Sequence, residues 1–150
     1  MKMHPKVYHY LYYHFPWQFF MTVIFMLSSI SQQNMPGFVE KFSDKFLHFV
    51  VFGVLAVLIW HSIINSRINY LHQKAAAAAI IFTSVYGIID ELHQILVPGR
   101  ICSTMDWLAD TLGALFFVVI INYFWRKKTD RNKIYSNGGQ KEPVTSRDVK

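Results

Sequence analysis

Apolar residues in this chain gather into blocks of bilayer length, and the polar residues at the block edges recur at helical spacings. Residues 46–64 contain no Lys, Arg, Asp or Glu, which approaches the roughly 20 residues needed to span a hydrocarbon core about 30 Å thick. Residues 75–97 and 107–125 form blocks of similar length. Residues 17–30 are fewer, but 11–15 extend them through an aromatic interface belt around Pro16. A soluble bundle would show one apolar stripe per helix, whereas these segments are apolar nearly all round. The pattern predicts an all-α integral membrane bundle of four transmembrane helices, at about 12–30, 46–64, 75–97 and 107–125, joined by short loops.

Composition agrees with this class. The chain has 150 residues, 53% hydrophobic and 17% aromatic, so it is one domain by length and unusually apolar for a soluble one. That domain is expected over 1–125. Past Trp125 the character changes, and Ser136-Asn137-Gly138-Gly139-Gln140-Lys141 has too few apolar groups to offset the entropy of ordering, so 126–150 reads as a basic, disordered cytoplasmic tail. Lys2 and Lys6 before an apolar stretch, with Ser29-Ile30-Ser31 after it, resemble a signal peptide, but the aromatic content and polar lead-in fit an uncleaved anchor better. Cys102 is the one cysteine, which leaves no intrachain disulfide. The alanines at 75–79, the Ala109/Gly113 pair, Gly53 and Gly87 are small enough to let helices approach closely.

Charge sets the orientation. Lys2, Lys6, Arg67, Lys74, Arg126, Lys127, Lys128, Arg131 and Lys133 fall on one side of the bundle, against Lys41, Lys45 and Arg100 on the other. The positive-inside rule then puts both termini in the cytoplasm and the loops near 31–45 and 98–106 outside the cell membrane. The net charge of +6 is thus topological and gives no ground for a nucleic-acid partner. Membrane lipids are the expected partners, with the tail favouring anionic headgroups.

The chemistry concentrates at the outer ends. Asp44 and His48 are four apart, as are Asp106 and Asp110, while Asp90 shares a stripe with His93 and Gln94. If the third helix starts near Ala75, a rise of 1.5 Å per residue lifts Asp90 by about 22 Å, into one layer with His48 and Asp110. Asp44, Glu91, Gln94, Arg100 and Asp106 should lie nearer the outer water. Charges facing lipid are costly, so the stripes should turn inward and meet. Lys45 and Arg100 are the compensating cations, and Arg100 can grip a carboxylate or phosphate through two parallel hydrogen bonds. Pro98-Gly99 supplies the turn that brings it over the bundle.

Taken together, Ser28-Ser29, Asp44-Lys45-Phe46-Leu47-His48-Phe49, and Asp90-Glu91-Leu92-His93-Gln94 through Pro98-Gly99-Arg100 to Ser103, Asp106, Asp110 and Gly113-Ala114 resemble the VanZ-like family over roughly 17–125. That resemblance implies a small bacterial integral membrane protein with a role at the cell envelope, the founding member being associated with low-level teicoplanin resistance. It departs from the family pattern at Asp110, where an Asn is common, and at Phe117, where a small glycine is expected.

The candidate ligand-binding residues are therefore Asp44, Lys45, His48, Asp90, Glu91, Gln94, Arg100, Asp106 and Asp110. The expected ligand is an outer-leaflet one, such as a lipid-linked cell-wall intermediate or a glycopeptide. Two other readings stand beside it: a membrane-embedded metal-dependent or acid–base enzyme acting on a lipid headgroup, and a purely structural ion-pair network. His48 and His93 with Asp90 and Asp110 could hold zinc, but no His-Glu-x-x-His pair occurs, so the sequence implies no cofactor. Ser103 lacks a Gly-x-Ser-x-Gly elbow and is not read as a nucleophile. His61, beside Trp60, reads as an interfacial hydrogen-bonding residue.

Overall fold

A computed structural model of the protein describes residues 4–31, 44–66 and 68–138. The elements are α1 (Pro5–His9), a π-helical turn (Tyr10–His14), α2 (Phe15–Ser28), α3 (Asp44–Ile64), α4 (Asn69–Gln94) and α5 (Thr104–Gly138). Among the described residues there is no strand, and the four-helix all-α class holds. Helical structure is continuous from 5 to 28. His4 caps its start by accepting the Lys6 N–H, with Pro5 at the first helical position, where a missing N–H costs nothing. The widened π turn directly precedes Pro16, whose ring would otherwise press on the carbonyl one turn back.

Helix boundaries follow local chemistry. Asp44 lies in the first turn of α3 and Asp106 in that of α5, where the positive end of the helix dipole favours a carboxylate. Ser103 Oγ accepts the Asp106 N–H at 3.3 Å, capping α5. Between α4 and α5, Gly99 takes φ 81°, a left-handed conformation that suits a residue without Cβ. Helix α4 covers Asn69–Gln94 where about 75–97 was expected, and α5 continues to Gly138, past the expected span end at 125. Arg126, Lys127, Lys128 and Arg131 are good helix formers, and Arg126 and Asp130 are spaced for a favourable pair. The rest of the expected tail, 139–150, lies outside the described residues, as do Lys2, Lys41, Arg67 and most of the 31–45 loop.

The helices pack around Phe52, Leu55, Ala56, Ile59 and Trp60 of α3, with Ala75, Ala79 and Tyr86 of α4, Ala114 and Val118 of α5, and Ile24 of α2. Helix α5 runs chiefly along α3. A Cβ added at Gly113 would run into the Phe49 carbonyl of α3, so only glycine permits this backbone-to-backbone approach. Gly53 serves differently: an added Cβ would stand 2.6 Å from the Phe117 ring. The bulky residue at 117 is accommodated by the absent side chain opposite. Tyr86 donates its hydroxyl to the Met21 carbonyl at 2.8 Å, tying α4 to α2.

Outward faces are apolar. Ile81, Val85 and Ile89 of α4 and Leu112, Phe116 and Val119 of α5 are exposed, and only 22% of the apolar window of α5 is covered by the rest of the protein. Such continuous apolar surface is untenable in water and ordinary in lipid. Among the described residues three helices, at Asp44–Ile64, Tyr70–Gln94 and Thr104–Asn132, are long and apolar enough to cross a membrane. Helix α2 alone is shorter, and gains length through the π turn and α1.

Candidate functional site

The end of α2, the start of α3, the end of α4 and the start of α5 meet at one end of the bundle. Nearly all the polar residues singled out in the sequence are there. One turn inside α3, His48 Nδ1 lies 2.9 Å from Asp110 Oδ1, with only 12% of the His48 side chain and none of Asp110 exposed. Two glycines make room for this pair. Gly113 draws α5 onto the backbone beside His48, and a Cβ at Gly87 of α4 would stand 2.8 Å from Asp110 Oδ2. Asp110 is therefore wedged between α3 and α4.

Around the pair, each expected residue has a definite place. Lys45 Nζ reaches Asp106 Oδ1 at 3.4 Å, an ion pair without hydrogen-bond geometry whose lysine is largely in solvent, and so of little energetic weight. Asp44 is exposed, yet it can bring a carboxylate oxygen within 4.8 Å of donor atoms on His48 and Asp106. Gln94 Nε2 donates to Asp90 Oδ2 at 3.0 Å. Glu91 Oε2 accepts the Ser103 N–H at 2.6 Å, which fixes the approach to α5. Arg100 Nε donates to the Ile30 carbonyl at 3.3 Å, joining the loop after α4 to the end of α2. His93 stands apart: its Nε2 is 3.0 Å from Ser29 Oγ and its ring lies 4.3 Å from that of Phe25. It fastens α4 to α2 rather than joining His48.

Burial is the dominant property of this end. Asp90 and Glu91 are each 3% exposed, Asp106 5% and Asp110 0%. One oxygen of each, namely Asp90 Oδ1, Glu91 Oε1, Asp106 Oδ1 and Asp110 Oδ2, receives no hydrogen bond among the described residues. Buried carboxylates normally have their oxygens satisfied, because an unmet one carries its full desolvation cost. Five carboxylates here face two permanent cations, Lys45 and Arg100, plus His48. The arrangement can accept hydrogen bonds from a donor-rich ligand, exchange a proton through the His48–Asp110 pair, or hold a cation.

Nucleophilic chemistry has less support. Ser103 Oγ is engaged in capping α5, as its lack of an elbow motif suggested. Cys102 is exposed, and slight desolvation followed by the charge of Glu91 pushes its thiol pKa up, away from the reactive thiolate. The sequence reading missed a polar seam beside the site. Ser84 Oγ and Thr111 Oγ1 are 2.8 Å apart, and Trp107 Nε1 donates to the Ser84 carbonyl and hydroxyl, both at 3.2 Å. The available signal was three hydroxyl residues, Thr83, Ser84 and Thr111, inside otherwise apolar blocks.

A model of the VanZ/LLP1 family matches residues 3–126. The chain belongs to the VanZ/LLP1 family. The match takes in every residue of the cluster and stops where the basic extension of α5 begins, so the VanZ/LLP1 unit is the membrane bundle itself. No curated protein and no solved structure matches the chain.

Proposed function

We propose that this VanZ/LLP1 protein lies in the cell membrane with its basic end in the cytoplasm, and binds at its outward carboxylate end the headgroup of an envelope ligand. The ligand class that fits is lipid-linked or glycopeptide-related and rich in hydroxyl or amine donors. The observation that carries this reading is the set of four buried carboxylates, each with an oxygen that receives no hydrogen bond, gathered under the short loop that bears Arg100. Helix glue alone would favour a fully satisfied network, since a partly satisfied one is worse than an apolar core. Arg100 and Lys45, at the rim, are suited to an anionic part of the same ligand, such as a phosphate.

A second reading, an acid–base enzyme acting on a lipid headgroup, draws support from the buried His48–Asp110 pair, because an imidazole oriented by a carboxylate is a common proton-transfer unit. The site would then bind the same headgroup and also turn it over.

The variant that separates binding from glue is Arg100→Lys, which keeps the charge and loses the planar fork. Lipids retained by gently extracted protein are identified by mass spectrometry, beside melting in detergent and glycopeptide tolerance in cells. The expected outcome is melting close to wild type with loss of the retained lipid or of tolerance. Tolerance that falls only in proportion to folded protein would make the cluster structural.

A further inference from the structure

We infer that His48, Glu91 and Asp110 form a divalent-metal site that takes a first-row transition ion such as Mn2+ or Zn2+. The inference deepens the reading above, since it supposes that the cluster binds something, but the ion alone tests it. Three separate helices each contribute one donor: α3 gives His48, α4 gives Glu91 and α5 gives Asp110, with one ligand atom of each within 4.8 Å of the others. Adjacent donors around such an ion stand about 3.0–3.4 Å apart, from bond lengths of about 2.1 Å. His48 Nδ1 and Asp110 Oδ1, at 2.9 Å, already have close to that spacing, and rotation of the Glu91 carboxylate brings in the third donor.

Three further observations favour an ion over a purely hydrogen-bonded arrangement. Glu91 Oε1 and Asp110 Oδ2 are buried without any hydrogen-bond partner, and a dication would satisfy both. Two carboxylate charges against one imidazole leave an excess that a dication neutralises, whereas Lys45 pairs with Asp106 and keeps its side chain 59% exposed. Support around the donors is also in place. Ser103 N–H holds the other oxygen of Glu91, and Gly87 gives Asp110 its berth; such outer partners fix ligand orientation in metal sites. Where His48 Nδ1 and Asp110 Oδ1 now meet at 2.9 Å, the ion would stand in for the shared proton.

Donor chemistry narrows the metal. One imidazole with carboxylates suits Mn2+, Fe2+ or Zn2+, while Ca2+ and Mg2+ favour all-oxygen sets and soft ions favour sulfur. The ion would also give an anionic headgroup a cationic partner at the base of an acidic site.

The test uses the full chain in detergent, stripped with EDTA and titrated with Mn2+ or Zn2+. Bound metal is read by mass spectrometry and stability by thermal unfolding. Wild type should retain about one ion per chain and melt higher with the ion than with EDTA. Glu91→Gln and Asp110→Asn keep the side-chain shape and remove a ligand charge. Each should weaken binding by more than the ~10–100-fold that loss of a mere supporting partner brings. In EDTA, Glu91→Gln should melt no lower than wild type, which separates lost binding from lost folding. Asp44→Asn, which touches only the outer Asp44–His48–Asp106 set, should bind the ion as wild type does. No ion-dependent shift in wild type would overturn the proposal, as would equal binding by Glu91→Gln, which points to surface histidines. Loss in Asp44→Asn with none in Glu91→Gln would place the ion in the outer set and equally overturn it. Metal binding that survives while lipid retention is absent counts against the envelope-ligand reading alone.

Discussion

The two ends of this bundle handle polarity in opposite ways. At the basic end the interior side chains are neutral and aromatic. Tyr13 and His61 rings lie 5.3 Å apart, Trp60 meets Trp125 edge to face at 6.0 Å, and His14 shares a 2.7 Å hydrogen bond with Ser62. The buried atoms left without partners there are the indole N–H groups of Trp17 and Trp60, uncharged groups of the kind that line a membrane interface. At the other end the buried atoms without a hydrogen bond are carboxylate oxygens. Packing alone asks for nothing like that expense of desolvated charge, and this contrast is what supports the role proposed for the acidic end.

Stability measurements can break or sharpen this contrast. The largest effect is expected from Asp110→Ala, which leaves His48 buried without its carboxylate and should lower unfolding free energy by about 3–5 kcal/mol. Chemical or thermal unfolding in detergent checks it, and a double-mutant cycle with His48→Ala should recover part of that loss as coupling. Next comes Gly113→Ala, where the new methyl meets rigid backbone at Phe49. Overpacking of this kind costs about 1–3 kcal/mol, and here it should also lengthen the His48–Asp110 separation. The smallest is His14→Ala at the basic end, which gives up one neutral hydrogen bond worth about 0.5–1.5 kcal/mol. A loss from His14→Ala equal to that from Asp110→Ala would erase the distinction between the two ends.

Much of this architecture was legible in the sequence, and the reasons are physical. Block length gave the helices, and the cost of lipid-exposed charge forced the polar stripes of α3, α4 and α5 to face one another, as Asp110 against His48 and Lys45 against Asp106 do. What the pattern could not give was rotational phase within a helix that is apolar on nearly every side. Glu91 and His93 are a case in point. Both flank the Asp90–Gln94 stripe, yet Glu91 turns to Ser103 and is buried while His93 turns to Ser29. The partner of each glycine was equally hidden, because Gly53, Gly87 and Gly113 look alike in sequence and meet an aromatic ring, a carboxylate and a backbone. The extent of α5 was missed for a different reason: a loss of apolar residues at 126 marks the edge of the bilayer pattern, not the end of the hydrogen-bonded helix.

The placement of the charged residues also bears on how the protein is made. Asp44, His48, Asp106 and Asp110 lie within the first two turns of their helices, and Asp90 and Glu91 within the last two of theirs. Once each helix spans the bilayer, none of these side chains is stranded at mid-bilayer awaiting a partner, since each stands near the interface. Biogenesis can therefore proceed helix by helix, with the acidic centre completed late, when α5 settles against α3 and α4. A chain arrested before α5 would lack Asp110 and leave His48 of α3 without its carboxylate partner, which distinguishes an unfinished bundle from a complete one.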